Sequence, residues 1–119
     1  MPDMEMIRQL AHDVGVDTAL KLMAIFKDDV DKRVQAIRDY LAAGKDARDV
    51  QNLRLQAHSL KGLCRTYGAA RAGDVAMELQ DACDAGDATD IQAKAQVALD
   101  VIPGEVEAAI AAARGLADE

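Results

Sequence analysis

The sequence predicts an all-α fold, an antiparallel up-down four-helix bundle with a short N-terminal helix that caps one end. Apolar residues recur at intervals of three and four over long stretches, as on one face of a helix. No stretch of useful length alternates apolar and polar residues, so strands are not expected. The breaks between helical stretches are short, which favours antiparallel neighbours. The 119 residues suit one domain, which we predict to span residues 1–119.

The first two predicted helices are separated by Gly15. The first covers about residues 3–13, and the second begins at Asp17 as its N-cap and runs to Ala43. An apolar stripe on the second helix is expected to face the core, and it consists of Leu22, Phe26, Val30, Val34, Ile37 and Leu41.

Three more helices are predicted, over residues 46–66, 70–85 and 88–116, with glycine at each break. Pro103 lacks a backbone donor and is expected to kink the last of them. The residues expected to point inward are Val50, Leu53, Ala57, Leu60 and Cys64, then Val75, Ala76, Leu79 and Cys83, then Ile91, Ala95, Ala98, Ile102, Val106 and Ile110.

Composition restricts the partners and the location. Acidic residues outnumber basic ones by 21 to 14, and the formal charge of −7 argues against nucleic acid, which needs clustered Lys and Arg. The two cysteines are too few for a disulfide scaffold or a four-ligand zinc site, and they suit a reduced setting. Neither a signal peptide nor the ~20-residue apolar run needed to span a bilayer is visible, so a cytoplasmic protein without a membrane partner is expected. The starting Met and the compact length favour a free-standing protein.

His58 stands out because of the residues that share its helix face. It lies one residue after Ala57, or about 100° around the helix axis, so it is expected beside the core face and toward solvent. The residues one or two turns away on the same surface are Arg54, Lys61, Gly62 and Arg65.

This neighbourhood favours phosphoryl transfer. Gly62 in mid-helix costs about 1 kcal/mol relative to alanine, so a compensating benefit is expected. A missing side chain one turn from the imidazole leaves room for a bulky group, and Lys61 offers charge to an incoming phosphoryl group. Phosphoryl transfer asks the protein mainly for positioning and charge, which these residues supply.

Residues 57–62, Ala-His-Ser-Leu-Lys-Gly, resemble the signature of histidine-containing phosphotransfer (HPt) domains, a His followed by x-Leu-Lys-Gly. Gly68 and Phe26 also match the family, and the resemblance covers about residues 17–86. It implies a stoichiometric carrier rather than an enzyme. His58 would accept a phosphoryl group from a response-regulator receiver Asp and pass it to another receiver. The chain would need no cofactor of its own, because the receiver supplies Mg²⁺.

The resemblance also implies a role for each site residue. His58 would be phosphorylated on Nε2, Lys61 would neutralise phosphoryl oxygens, and Gly62 would supply clearance. Gln80, 22 residues after the histidine, matches the residue that hydrogen-bonds Nδ1 and fixes the tautomer. A receiver or a hybrid sensor histidine kinase would dock on the exposed face of a monomer. The expected partner-binding residues are Arg54, Arg65, Met6, Ile7 and Leu10.

Three alternatives stay open. The first is the dimerisation and phosphoacceptor part of a sensor histidine kinase, although Ser59 replaces the usual acidic residue and no proline follows His58 before Pro103. The second is an adaptor bundle without chemistry. The third is a carboxylate-bridged metal bundle, which is disfavoured because neither His12 nor His58 has a Glu three residues before it.

Overall fold

The computed structural model describes residues 1–119 and is entirely helical, as predicted. Its elements are α1 (Met4–Val14), α2 (Val16–Ala42), a 3-10 helix (Lys45–Ala47), α3 (Val50–Thr66), α4 (Ala70–Ala85) and α5 (Ala88–Leu116). The bounds of α4 and α5 are the predicted ones.

Aspartates begin three of the five helices. The side chains of Asp3, Asp49 and Asp87 accept hydrogen bonds from backbone N–H groups in the first turns of α1, α3 and α5. Two predicted starts are wrong. Helix α3 begins after Asp49 rather than near residue 46, because residues 45–47 form the 3-10 turn. Asp17 lies inside the first turn of α2, which follows Gly15 without a side-chain cap.

The four long helices form a bundle in which α3 packs on α4, α4 on α5, α5 on α2 and α2 on α3. The connections after α3 and α4 contain only residues 67–69 and 86–87, so the helices they join run antiparallel. The bundle is elongated, with extents of 51 × 20 × 20 Å.

Helix α1 caps one end of the bundle, as predicted. At 27 and 29 residues, α2 and α5 are longer than α3 and α4, at 17 and 16, so they extend beyond the α3–α4 turn. Helix α1 packs on α2 and α5 at that end. The backbone N–H of Asp3 donates to the carbonyl of Gly68 at 2.7 Å, which fixes α1 to the turn.

One cluster of buried residues, almost all aliphatic, forms the core. Most of the predicted inward residues are buried, including all of those on α4 and α5. The middle of the predicted α2 stripe, from Phe26 to Ile37, is buried as expected. At its two ends Leu22 and Leu41 are only half-buried, and their neighbours Met23 and Tyr40 are buried instead. The rings of Phe26 and Tyr67 stack at 4.7 Å near the α3–α4 turn. Helix α5 continues through Pro103.

Candidate functional site

His58 is exposed in the middle of α3, on the side of that helix that faces α4. Its Nδ1 lies 3.3 Å from Oε1 of Gln80 on α4. Gln80 is only 9% exposed and is the one buried polar side chain in the chain. A buried amide is held in place by its surroundings, so Gln80 gives the imidazole a fixed support on the neighbouring helix.

The contact with Gln80 determines which ring nitrogen carries the proton. An amide oxygen only accepts hydrogen bonds, so Nδ1 of His58 must be the donor and carry the hydrogen. In the neutral imidazole, Nε2 then keeps its lone pair. The arrangement leaves Nε2 as the nucleophilic atom of an exposed side chain.

Lys61 and Gly62 supply charge and space next to this ring. None of the eight salt bridges of the structure involves Lys61, so its ammonium group is available to a ligand. A Cβ placed on Gly62 would meet no atom within 4 Å. The helix is continuous there, and Thr66 Oγ1 donates to the Gly62 carbonyl at 2.8 Å. The missing side chain therefore leaves open surface beside His58.

The two arginines near His58 are both paired with carboxylates of α4. Arg54 donates through Nε to Asp84, and this bond raises the pKa of the guanidinium further. Arg65 donates to Asp74 at 3.3 Å. Both side chains lie on the predicted face, but their charges are compensated, which leaves Lys61 as the unpaired cation.

Sequence reasoning missed the α4 partners of these arginines. A Cβ on Gly73 would lie 2.7 Å from Cγ of Arg65, so this glycine lets Arg65 cross to α4. Asp84 lies one turn after Gln80, as Arg54 lies one turn before His58. The sequence contains this antiparallel spacing, but it identifies the pairs only when His58 and Gln80 are known to lie opposite each other on α3 and α4.

The predicted docking patch on α1 needs correction. Ile7 is 1% exposed and packs into the space over Gly68, so it cannot contact a partner. Met6 is exposed and Leu10 half-buried. The apolar side chains next to the site are Leu55, one turn before His58 and 55% exposed, and Met77, one turn before Gln80 and 41% exposed. Sequence reasoning missed both, although the same helical spacing points to them.

A surface groove of about 900 Å³ lies elsewhere, between the end of α2 and the start of α5. Arg48 occupies part of it, donating to the carbonyls of Leu41 and Ala43 and to Gln92. Its guanidinium also lies 5.2 Å from the centre of the Tyr40 ring. Arg48 thus fastens the α2–α3 connection, and no predicted site residue lines this groove.

The remaining candidate chemistry is limited. No three His, Cys, Asp or Glu side chains are grouped so that they could hold a metal ion. Cys64 and Cys83 are free thiols and both are buried. Burial raises the pKa of the Cys64 thiol to about 12 and also raises that of Cys83. No helix has the length and apolar character that crossing a bilayer requires.

Residues 21–115 match the Hpt domain family. This range covers most of the chain and leaves α1 outside. The chain therefore belongs to the Hpt domain family, whose members carry phosphoryl groups on histidine in two-component phosphorelay signalling and interact with response-regulator receivers. Such domains are phosphotransfer carriers rather than classical enzymes. Comparisons with curated proteins and with solved structures returned no match.

Proposed function

We propose that this chain is a phosphorelay carrier whose His58 accepts a phosphoryl group from the aspartyl phosphate of one receiver and passes it to the aspartate of another. The single observation that carries the proposal is the exposed imidazole of His58, with its Nδ1 against the buried Gln80 oxygen. A histidine held in this way offers Nε2 to a visiting protein while its other nitrogen is occupied.

The transfer step follows from this geometry. The Nε2 lone pair of His58 attacks the phosphorus in line, so an N–P bond forms as the O–P bond to the aspartate breaks. The bonding electrons leave with the aspartate carboxylate. The Nδ1 proton stays in its hydrogen bond to Gln80 throughout. In onward transfer the ring departs as a neutral imidazole, which is a better leaving group than an imidazolate anion.

Lys61 and Gly62 serve this step in different ways. The unpaired ammonium of Lys61 balances charge on the phosphoryl oxygens, which carry about −1.5 to −2 near neutral pH. The receiver contributes its own Mg²⁺ from the aspartate side. The open surface at Gly62 admits the receiver close enough for the in-line approach, since beyond the local helix backbone nothing lies within 4 Å of a Cβ placed there.

The receiver docks on the exposed face of this chain around His58. Leu55 and Met77 are apolar and lie one turn from His58 and Gln80, respectively. Interface centres favour such residues, and Met adapts readily to different partners. Arg65, paired with Asp74, lies at the rim. Met6 and Leu10 lie on α1 at the Gly68 end, about 15 Å along α3 from His58, and are secondary contacts.

The proposal excludes autokinase activity, so the isolated chain should acquire no label from ATP and Mg²⁺. Labelling by ATP would instead favour the phosphoacceptor part of a sensor kinase. We also propose that the carrier is a monomer, because the reactive face must be free for the partner. A cytoplasmic location stays a prediction of the sequence.

The decisive experiment mixes the chain with a receiver that has been phosphorylated by a small molecule, and follows acid-labile, base-stable phosphate. The chain has two histidines, and His12 on α1 is also exposed. We expect His58→Gln to abolish labelling, since the amide has no nucleophilic nitrogen, and His12→Gln to leave it unchanged. Labelling that survives in His58→Gln, or disappears in His12→Gln, would refute the assignment.

A further inference from the structure

We propose that Arg54 is a second ligand of the phosphoryl group, and that it exchanges Asp84 for the phosphoryl oxygens when His58 is phosphorylated. This inference rests on the proposed function and goes beyond it. In this proposal the Arg54–Asp84 ion pair sets the stability of the phosphorylated His58 relative to the phosphorylated receiver.

The position of the ion pair carries the inference. Arg54 lies four residues before His58 on α3, so the two are neighbours on the helix surface, with roughly 5–6 Å between Cβ atoms. Helical side chains lean toward the N-terminus, which inclines the imidazole toward Arg54. Asp84 lies four residues after Gln80 on α4. The Arg54–Asp84 pair is therefore directly adjacent to the His58–Gln80 contact.

The ion pair is easily exchanged. The side chains of Arg54 and Asp84 are 45% and 50% exposed. Water and salt screen an ion pair this exposed, so it contributes little to stability. A phosphoryl group brings about −1.5 to −2 charge and three acceptor oxygens, against −1 and two oxygens for a carboxylate. The planar guanidinium can bind two of these oxygens at once.

The Asp84 carboxylate can be solvated by water after it loses Arg54, because its side chain is half-exposed. Without the exchange, Arg54 would stay paired with Asp84, and Lys61 would be the one unpaired cation beside the phosphoryl group. With the exchange, two cations bind the phosphoryl group. Asp84 still competes for Arg54, which weakens the hold and favours onward transfer.

The second α3–α4 ion pair provides a natural contrast. Arg65 lies seven residues after His58, two turns away, and it contacts Met77 Sδ at 3.4 Å as well as Asp74. Its stem packs over Gly73. Arg65 is thus held farther away and by more contacts, and we expect it to keep its partner when His58 is phosphorylated.

The test measures the equilibrium ratio of phosphorylated carrier to phosphorylated receiver after the two proteins are mixed. We expect Arg54→Gln to lower this ratio about two- to fivefold, and Asp84→Asn to raise it by a similar factor, as fits a surface ion pair. In the Arg54→Gln background, Asp84→Asn should raise it by less. Asp74→Asn, the matched control, should leave it unchanged. An unchanged ratio in Arg54→Gln, or an equal rise in Asp74→Asn, would overturn the proposal.

A second measurement does not depend on any receiver. Phosphoramidate phosphorylates histidine directly, and NMR can follow the Arg54 Nε–H resonance before and after the reaction. We expect this resonance to move on phosphorylation while that of Arg65 stays in place. A carrier that reacts with phosphoramidate but not with receivers would refute the proposed relay and leave the exchange testable. An Arg54 resonance that does not move would refute the exchange alone.

Discussion

Two adjacent segments of one helix contrast sharply. In the open segment, residues 58–62, the His58 ring is exposed and the position next to Gly62 is empty. In the closed segment, residues 64–69, Cys64 is fully buried and the Gly68 position is crowded. A Cβ on Gly68 would lie 2.5 Å from Cγ1 of Ile7. Gly62 leaves space open on the surface for a partner, whereas Gly68 leaves the space that Ile7 already fills.

The contrast separates chemistry from folding. The closed segment joins α1, α2 and α3, through the hydrogen bond of Gly68 with Asp3 and the stacking of Tyr67 on Phe26. It fixes α3 so that the open segment can expose its side chains without losing position. Substitutions in the closed segment should therefore change stability, and those in the open segment should change transfer.

The largest effect is expected at Gly68. Its φ is +84°, which an L residue adopts at a cost of about 1–2 kcal/mol. The added methyl group would also overlap Ile7, and overpacking of a core costs about 1–3 kcal/mol. We expect Gly68→Ala to lower the free energy of unfolding by about 2–5 kcal/mol in urea titrations. The folded fraction should still accept phosphate, because His58 is ten residues away.

Gly86→Ala is the matched control. Gly86 also has a positive φ, +81°, but a Cβ there would meet nothing within 4 Å. Only the backbone term remains, so the loss should be about 1–2 kcal/mol. Equal losses in the two variants would mean that Ile7 does not crowd the closed segment, and the comparison would fail.

The closed segment also shows where sequence reasoning ends. His58, Lys61 and Gly62 lie on one helix, and helical periodicity alone is enough to bring them together. Whether Ile7 is exposed or buried depends on where α1 packs, and nothing local in the sequence settles that. Helical spacing correctly placed Ile7 on one face of α1 with Met6 and Leu10, but the prediction that Ile7 belongs to an exposed docking patch was wrong.

The fold shows the same division. The end of α4 and the start of α5 follow from local signals, Gly86 as the left-handed C-cap of α4 and Asp87 as the N-cap of α5. The start of α3 does not, because Asp46 and Asp49 are equally suitable caps and the 3-10 turn decides between them. The partners of Arg54 and Arg65 depend on the register of α3 against α4, which is a tertiary property.

A loss of stability that grows with pH is expected from Cys64. The pKa of its thiol is about 12 in the folded protein, against 9.0 when unperturbed. Above about pH 9 the unfolded chain loses this proton while the folded one keeps it, so stability falls as pH rises. The loss should approach about 1.4 kcal/mol per pH unit between about pH 9 and 12. Urea titrations at several pH values measure it.

Cys64→Ala isolates this contribution from the other groups that titrate in the same range. The variant should be less stable at neutral pH because it leaves a cavity, but its stability should fall less steeply above pH 9. Parallel curves for the two proteins would show that the thiol is solvated, and that the closed segment is not closed at Cys64.

The smallest effect on stability, and the sharpest test of the open segment, is expected at Gly62. Alanine is favoured over glycine in a helix interior by about 0.8–1 kcal/mol, and the new Cβ would meet no atom within 4 Å. Gly62→Ala should therefore raise the free energy of unfolding by up to about 1 kcal/mol. Phosphoryl transfer from a receiver should nevertheless slow several-fold, because the methyl group occupies the approach to His58.

Gly104→Ala makes the comparison quantitative. Gly104 lies inside α5, and its missing Cβ also has nothing within 4 Å. This variant should gain similar stability and transfer phosphate at the wild-type rate. A more stable protein that works less well is expected only where a glycine is kept for a partner. If Gly62→Ala transferred phosphate as fast as Gly104→Ala, the space beside His58 would have no role in docking, and the cost of Gly62 to the helix would be left without a benefit.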